Sequence, residues 1–266
     1  MSMVTMIFGL APAVAPILGG WLEVWFGWRS IFVFLALFAG SLFAGCHYRL
    51  AESLPPPKRQ PFAVRPLLAN YCKLFSSVRF GLLSSAIALN FAAFFLYIAS
   101  APAVIYRLLG LNENQFAWLF VPGISGVIAG AYLSGRMAGK VTPRRTVRYG
   151  YTVMLAAATF NVVYDLTYPP ALPWTVLPIM LYTIGMAMVA PSLTLLLLDL
   201  FPDNRGLSAS LQAAQQSFFS GLAAGLLSPY LSGTALGLSL GMATLLASGY
   251  ACWYIFAHMP NRDIRP

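Results

Sequence analysis

The side chains able to do chemistry are few in this chain, and they do not converge. A catalytic or metal centre needs titratable groups or ligands gathered at one place. The two histidines, His47 and His258, are far apart, and the seven acids are scattered over 266 residues. No enzyme, metal site or cofactor is therefore expected. Asp165 stands out because it interrupts an otherwise apolar stretch. A carboxylate at the centre of a bilayer costs roughly 2.5–3.5 kcal/mol on insertion scales. Asp165 lies only a few residues before Tyr168-Pro169-Pro170, however, so it reads as a group at the outer interface. His47 and His258 fall at inner helix ends, where a polar tip reaches water while the ring stays in apolar surroundings. Cys46, Cys72 and Cys252 read as small buried hydrophobes without a disulfide framework.

The elements that carry these residues must be membrane helices. The chain is 59% hydrophobic and 9% charged, with a mean hydropathy of +0.74, whereas a soluble domain carries roughly 25% charged residues. Uncharged runs at 1–22, 30–48, 80–106, 114–135, 166–198 and 206–261 are long enough to cross hydrocarbon, and the last is long enough to do so twice around Ser228–Leu236. About eight spans follow, near 2–22, 29–48, 80–104, 115–136, 147–168, 174–198, 207–228 and 236–257. Backbone in lipid must bond to itself, and runs of this length suit helices rather than the roughly ten-residue strands of a barrel. The first run has no basic start and ends in Gly19-Gly20-Trp21, so it reads as a span and not as a signal peptide.

The net charge of +9 follows the membrane rather than a nucleic acid. With residue 1 inside, Arg49, Lys58, Arg59, Arg65, Lys73 and Arg79 share one inner loop, and Arg136, Lys140, Arg144, Arg145 and Arg148 share the next. Arg205, Arg262 and Arg265 are also inside, leaving only Arg29 and Arg107 outside. That bias orients a bacterial inner-membrane protein with both termini in the cytoplasm. The Pro-rich, basic segment 49–79 reads as a cytoplasmic linker. It divides the chain into two helices (1–48), a six-helix block (80–258) and a tail (259–266).

Three motifs narrow the class. Residues 11–20 read Ala-Pro-Ala-Val-Ala-Pro-Ile-Leu-Gly-Gly and are followed by Trp28-Arg29-Ser30-Ile31-Phe32. Prolines four apart survive in a membrane helix only where a neighbour packs closely, and the small residues there allow it. The segment resembles the fifth-helix antiporter motif of the major facilitator drug/proton exporters, G-x-x-x-G-P-x-x-G-G. Pro16, Gly19 and Gly20 match, while Ala11 and Ala15 replace glycines, as in the bicyclomycin/chloramphenicol-resistance branch. The basic loop Gly135–Arg145 and the turn Asp199–Gln212 resemble the family's loops after helices eight and ten. The first of these carries Gly139 where the family has an acid, and Arg136 could pair with Asp199 across an inner gate.

This resemblance implies an all-α partial major facilitator fold, the end of an N-lobe plus a complete six-helix C-lobe, covering helices five to twelve. It implies a multidrug antiporter that exchanges protons for small amphipathic drugs or metabolites by alternating access, with the bilayer as its other partner. Helices seven, eight, ten and eleven would face the cavity, and nine and twelve the lipid. Carried over, the substrate residues are Asn90, Phe91, Phe94, Phe95, Tyr97, Trp118, Tyr182, Met186, Met188, Gln212, Gln215 and Gln216, with Phe218 and Phe219 after them. Aromatic and methionine surfaces adapt to varied ligands. The alternative is a truncated remnant, or a half-transporter that needs the first four helices from a longer chain or a separate partner. Glycine stripes at 126/130 with Ser134, at 221/225 and at 233/237/241 predict tight helix contacts.

Overall fold

The structure, a computed structural model, describes residues 18–19, 21–23, 25–51, 64–112 and 115–259, with side chains except for 64–69. Ala11, Ala15, Pro16 and Gly20 of the Pro-Gly motif lie outside the described residues, and Gly19 lies within them. All regular structure among the described residues is helical. The chain falls into two compact units, one at Ala11–Ala69 and one dominated by Asn70–Pro266.

In the first unit, Gly27 (φ 78°) closes the preceding helical turn, its N–H donating to Glu23 O at 2.9 Å. A left-handed residue at this place is the usual glycine stop of a helix. The Ser30 hydroxyl then donates to Gly27 O at 2.7 Å and helps to open α1 (Arg29–Arg49). Arg29 lies 4.7 Å from the Trp28 ring centroid, so the Trp-Arg pair of the motif is a cation–π contact. The segment read as a linker contains a short helix, α2 (Val64–Phe75). At 12 residues it is too short to cross hydrocarbon.

The second unit holds α3 (Val78–Ala99), α4 (Ala117–Met137), α5 (Pro143–Thr167), α6 (Leu177–Leu198), α7 (Arg205–Leu222), α8 (Ser228–Leu231) and α9 (Ala235–His258). Helices α3 and α6 form its middle. The α3 helix packs on α9, α7 and α6, while α6 packs on α4 and α5. Among the described residues five helices, α1, α3, α4, α6 and α9, are long and apolar enough to cross a membrane; most of the expected span at 2–22 lies outside them. The α5 and α7 helices are long enough but more polar, because α5 opens on Arg144, Arg145 and Arg148 and α7 carries Gln212, Gln215 and Gln216. Two π-helical segments, Ala103–Leu108 and Ala223–Leu227, extend α3 and α7. The Ser100 and Ser228 hydroxyls meet at 2.8 Å beside them and pin the two irregular stretches together.

Helix contact around α6 is set by missing side chains. A Cβ on Gly185 of α6 would lie 2.5 Å from Gly150 O of α5 and 2.7 Å from Met154 Cγ. One on Gly126 of α4 would collide with Thr183 Oγ1 and Met180 O of α6, and one on Gly130 with Ile184 O. Ser134, next in that row, donates to Met188 O at 3.4 Å. The 126/130 stripe is thus a close backbone contact, as small residues in membrane helices permit. The other stripes differ. Gly221, Gly225 and Gly233 have nothing within 4 Å of an added Cβ, while Gly237 and Gly241 pack on Leu231.

This contrast predicts opposite signs for one substitution. Alanine in place of a helical glycine gains about 1 kcal/mol of propensity. Gly221→Ala is therefore expected to hold or raise the melting temperature of the purified chain in detergent. Gly185→Ala is expected to lower it, by overpacking worth about 1–3 kcal/mol.

Candidate functional site

The polar residues of the second unit fall into a deep set and a shallow set. The deep set centres on Asn90 of α3, which is 2% exposed. Its Nδ2 donates to Tyr151 Oη of α5 at 2.8 Å, and Tyr151 donates onward to Gly249 O of α9 at 3.2 Å. Tyr182 of α6 donates to Asn90 O at 2.8 Å. Nearer the other end of the bundle, Asn161 Nδ2 of α5 donates to Tyr97 Oη of α3 at 2.7 Å.

Asn90, Tyr97, Tyr182, Met186 and Met188, expected on a cavity wall, are therefore enclosed by neighbouring helices of their own unit. The three polar ones bond to backbone or to other helices. Their bonds tie the helices of the bundle together. Tyr151 and Asn161 complete the network but were not singled out in the sequence. A polar residue inside an apolar helix was the available signal, and the resemblance obscured it by assigning that helix to lipid.

The shallow set lies on α3 and α7. Gln215 Nε2 donates to Ser85 Oγ at 2.8 Å, and Gln212 Nε2 donates to Gln216 Oε1 at 2.9 Å, all with part-buried side chains. On α3, Phe91 stacks with Phe95 at 6.0 Å between centroids and meets Phe94 edge-on at 6.4 Å, all three half-buried. A Cβ on Gly123 would touch the Phe94 ring at 3.6 Å, which brings α4 to the same aromatic group. Phe218 is exposed and packs edge-on against Phe219. Trp118 is half exposed and meets none of the α3 rings among the described residues. Neutral amides with hydrogen-bonding capacity to spare, set beside accessible rings, can accept an amphipathic ligand without a charged partner. Ser85 was the residue missed here, since a lone serine in an apolar run carries no distinctive signal.

The loops after α4 and α6 place the charges differently from the expected gate. Asp199 pairs with Arg205 at 2.9 Å, and both side chains are more than half exposed. Arg136 instead leans on Tyr132 of its own helix, with Nη1 3.5 Å from Tyr132 Oη. The expected Arg136–Asp199 pair is not formed, because Arg205 lies one short turn from Asp199 and reaches it first. A cavity of about 590 Å³ lies at the α4–α5 turn, lined by Lys140, Thr142, Thr146 and Ser192 among others, and shares no residue with the amide–aromatic face. No group of three or more histidine, cysteine or acidic residues among the described residues could hold a metal ion.

A bundle of apolar helices with its polar groups turned inward is a multi-pass membrane protein. Residues 1–217 match the model of the Major Facilitator Superfamily, and the chain belongs to that family, a family of transporters and not of enzymes. It is 26% identical over 206 residues to the multidrug resistance protein MdtM of Escherichia coli O157:H7, covering 77% of this chain and 49% of that protein. It is 24% identical to a bicyclomycin resistance protein homolog of Haemophilus influenzae, covering 61% of this chain and 41% of that protein. A chloramphenicol resistance protein of Pseudomonas aeruginosa is 26% identical, with 68% and 42% covered. The chain spans about half the length of these curated relatives.

The two sets should respond differently to substitution. Leaving a buried partner unsatisfied costs about 1–3 kcal/mol. Asn90→Leu is thus expected to lower thermal stability in detergent by that order, since it removes the donor to Tyr151 Oη and puts a larger apolar side chain against Gly249. Gln212→Ala, at the shallow face, is expected to leave the melting temperature within the range of ordinary surface changes.

Proposed function

We propose that this chain belongs to a proton-driven exporter of small amphipathic drugs or metabolites, working by alternating access in a bacterial inner membrane. The observation that carries the reading is the accessible amide–aromatic face of α3 and α7 in a chain whose relatives are named for resistance to several unrelated drugs. Gln212, Gln215 and Gln216 would offer hydrogen bonds, with Phe91, Phe94 and Trp118 as the adaptable apolar surface. Ala11, Ala15, Pro16, Gly19 and Gly20 would let helices rock closely past one another, and Arg136 with the Asp199–Arg205 pair would mark the inner ends of that motion. In this reading residues 1–48 are the end of an N-lobe, 49–79 a cytoplasmic linker, 80–258 a C-lobe and 259–266 a cytoplasmic tail.

A second reading is favoured by the half-length match: transport needs further N-terminal helices, in the same chain or as a separate partner. Expression in cells lacking their own pumps separates the two, with the chain tested alone and joined to the N-terminal half of a relative. Accumulation of a fluorescent amphipathic dye is the readout. Efflux by the chain alone supports the first reading, and efflux only by the joined form supports the second. Absence of energy-dependent efflux in both arrangements sinks the exporter reading. In whichever form pumps, Gln215→Ala is expected to weaken apparent affinity about tenfold, the worth of one hydrogen bond of about 1.4 kcal/mol. The orientation has its own check. Cys46 and Cys72 are exposed rather than buried as their sequence context suggested, and with Cys46 and Cys252 replaced by alanine, Cys72 is expected to react with an impermeant maleimide in inside-out vesicles and not in intact cells.

A further inference from the structure

The cavity at the α4–α5 turn has a polar floor built from three helices. Ser134 comes from α4, Thr146 from α5 and Ser192 from α6. All three are more than nine-tenths buried, at 6%, 4% and 8% exposure. Two of the hydroxyls are held loosely, Ser134 by Met188 O and Thr146 by Thr142 O, each at 3.4 Å. Ser192 lines the cavity and has no hydrogen-bond partner among the described residues. Buried hydroxyls are ordinarily paired, so Ser192 is a donor available to whatever fills the cavity. It follows Pro191, which has no N–H to give to the carbonyl four residues back, so α6 also lacks one backbone bond at this wall.

The charge around this floor has one sign. Gly139 (φ 77°) turns the chain out of α4, and the N–H groups of Lys140 and Val141 both donate to Met137 O at 3.0 Å. That turn sets Lys140 on the cavity wall. Helix α5 then opens at Pro143, with Arg144, Arg145 and Arg148 close behind and no acid in its first turn. The first turn of a helix adds partial positive charge of its own. The α6 helix carries no charged residue, and Asp199 beyond its end is already paired with Arg205. Among the described residues neither Lys140 nor these three arginines has an acidic partner. The remaining wall is apolar, with Val141, Pro191 and Leu195.

We propose that this cavity binds a phosphoryl oxyanion, the chemistry shared by inorganic phosphate and a phospholipid headgroup. Lys140 supplies the counter-charge, and the Ser192, Ser134 and Thr146 hydroxyls donate to the phosphoryl oxygens. Hydrogen bonds to a charged acceptor are stronger than those to a carbonyl, so the two loosely held hydroxyls gain by turning to it. Basic pockets between membrane helices are where anionic headgroups bind. The volume of about 590 Å³ lies within the usual range for small-ligand sites, and the apolar wall suits the glycerol and first methylenes of a lipid. The site goes beyond the efflux reading and does not depend on it, because binding is read without transport.

The test is the melting temperature of the whole purified chain in neutral detergent at fixed ionic strength, titrated with phosphatidylglycerol, phosphatidylcholine or inorganic phosphate. A ligand that binds the folded chain raises the melting temperature with its concentration. Phosphatidylglycerol is expected to do so at lower concentration than zwitterionic phosphatidylcholine. A rise with inorganic phosphate as well means that the free anion suffices, and a rise with the lipid alone means that the headgroup is taken with its chains. Ser192→Ala is expected to weaken the effective concentration about tenfold, the loss of one hydrogen bond to a charged group. Lys140→Gln is expected to weaken it and Lys140→Arg to preserve it. Lys140 is exposed, so its variants serve even if Ser192→Ala folds poorly. Lys73→Gln, which removes the same charge from exposed α2 surface, is expected to bind as the unaltered chain does. No rise with either anion would overturn the proposal, as would equal effects of the two lipids. Equal weakening by Lys73→Gln and Lys140→Gln would mean diffuse surface charge and would overturn it too.

Discussion

Everything in the second unit depends on the rule that a polar group at membrane depth must find its partner inside the protein. Asn90 is where most of these bonds meet. Its side-chain nitrogen donates to Tyr151, its backbone carbonyl accepts from Tyr182, and Tyr151 donates onward to Gly249 O, while Asn90 Oδ1 is buried without a partner. Four helices, α3, α5, α6 and α9, are thereby keyed to one residue. Dispersion alone would let apolar helices slide, because lipid tails solvate leucine as well as another helix does. Hydrogen bonds with defined geometry set the register instead. Gly249 is part of the same arrangement, since a Cβ there would lie 2.6 Å from Asn90 Oδ1.

Close backbone approach supplies the second constraint. Gly126, Gly130, Gly150 and Gly185 let α4 and α5 press against α6 with carbonyl groups where side chains would otherwise stand. Such a contact is rigid along its length and smooth across it. The opposite side of the unit, where α3 meets α7, is built otherwise. There the side chains are large, half-buried and joined by amide hydrogen bonds, and the helices are extended by π-helical segments joined through Ser100 and Ser228. Irregular turns of this kind often occur at functional places in helices. One side of the bundle is thus packed tightly, and the other retains accessible polar and aromatic surface. That asymmetry suits a lobe that holds its shape while presenting one face to a ligand.

The charged residues stand apart from both constraints. Asp199 and Arg205 form an exposed pair within one turn, and exposed pairs contribute about 0–1 kcal/mol. Arg136 rests on Tyr132. They stand at helix ends, Arg136 in the last turn of α4 and the Asp199–Arg205 pair between α6 and α7. Asp165 is the exception, because one of its carboxylate oxygens is buried and no cation among the described residues pairs with it.

The described helices from residue 29 on, their approximate ends and the membrane class were legible from the sequence, because length and apolarity are local properties that a bilayer enforces on any chain. The Trp28-Arg29 turn, the 126/130 stripe and the family were legible for the same reason, as each is carried by residue types at fixed short spacing. The short helix α2 was not, since its apolar positions lie in a Pro-rich basic segment that masks them. Nor was the division of the polar residues. Asn90 and Gln215 look alike in sequence, yet one is buried among four helices and the other sits at an accessible edge. Likewise Asp199 chose Arg205 over Arg136. Which partner a polar side chain finds is decided by how the helices pack and rotate about their axes, and that packing sums contacts between residues as far apart as Asn90 and Gly249. Composition and spacing determined that these groups must be satisfied inside a membrane, and only the tertiary structure decided by whom.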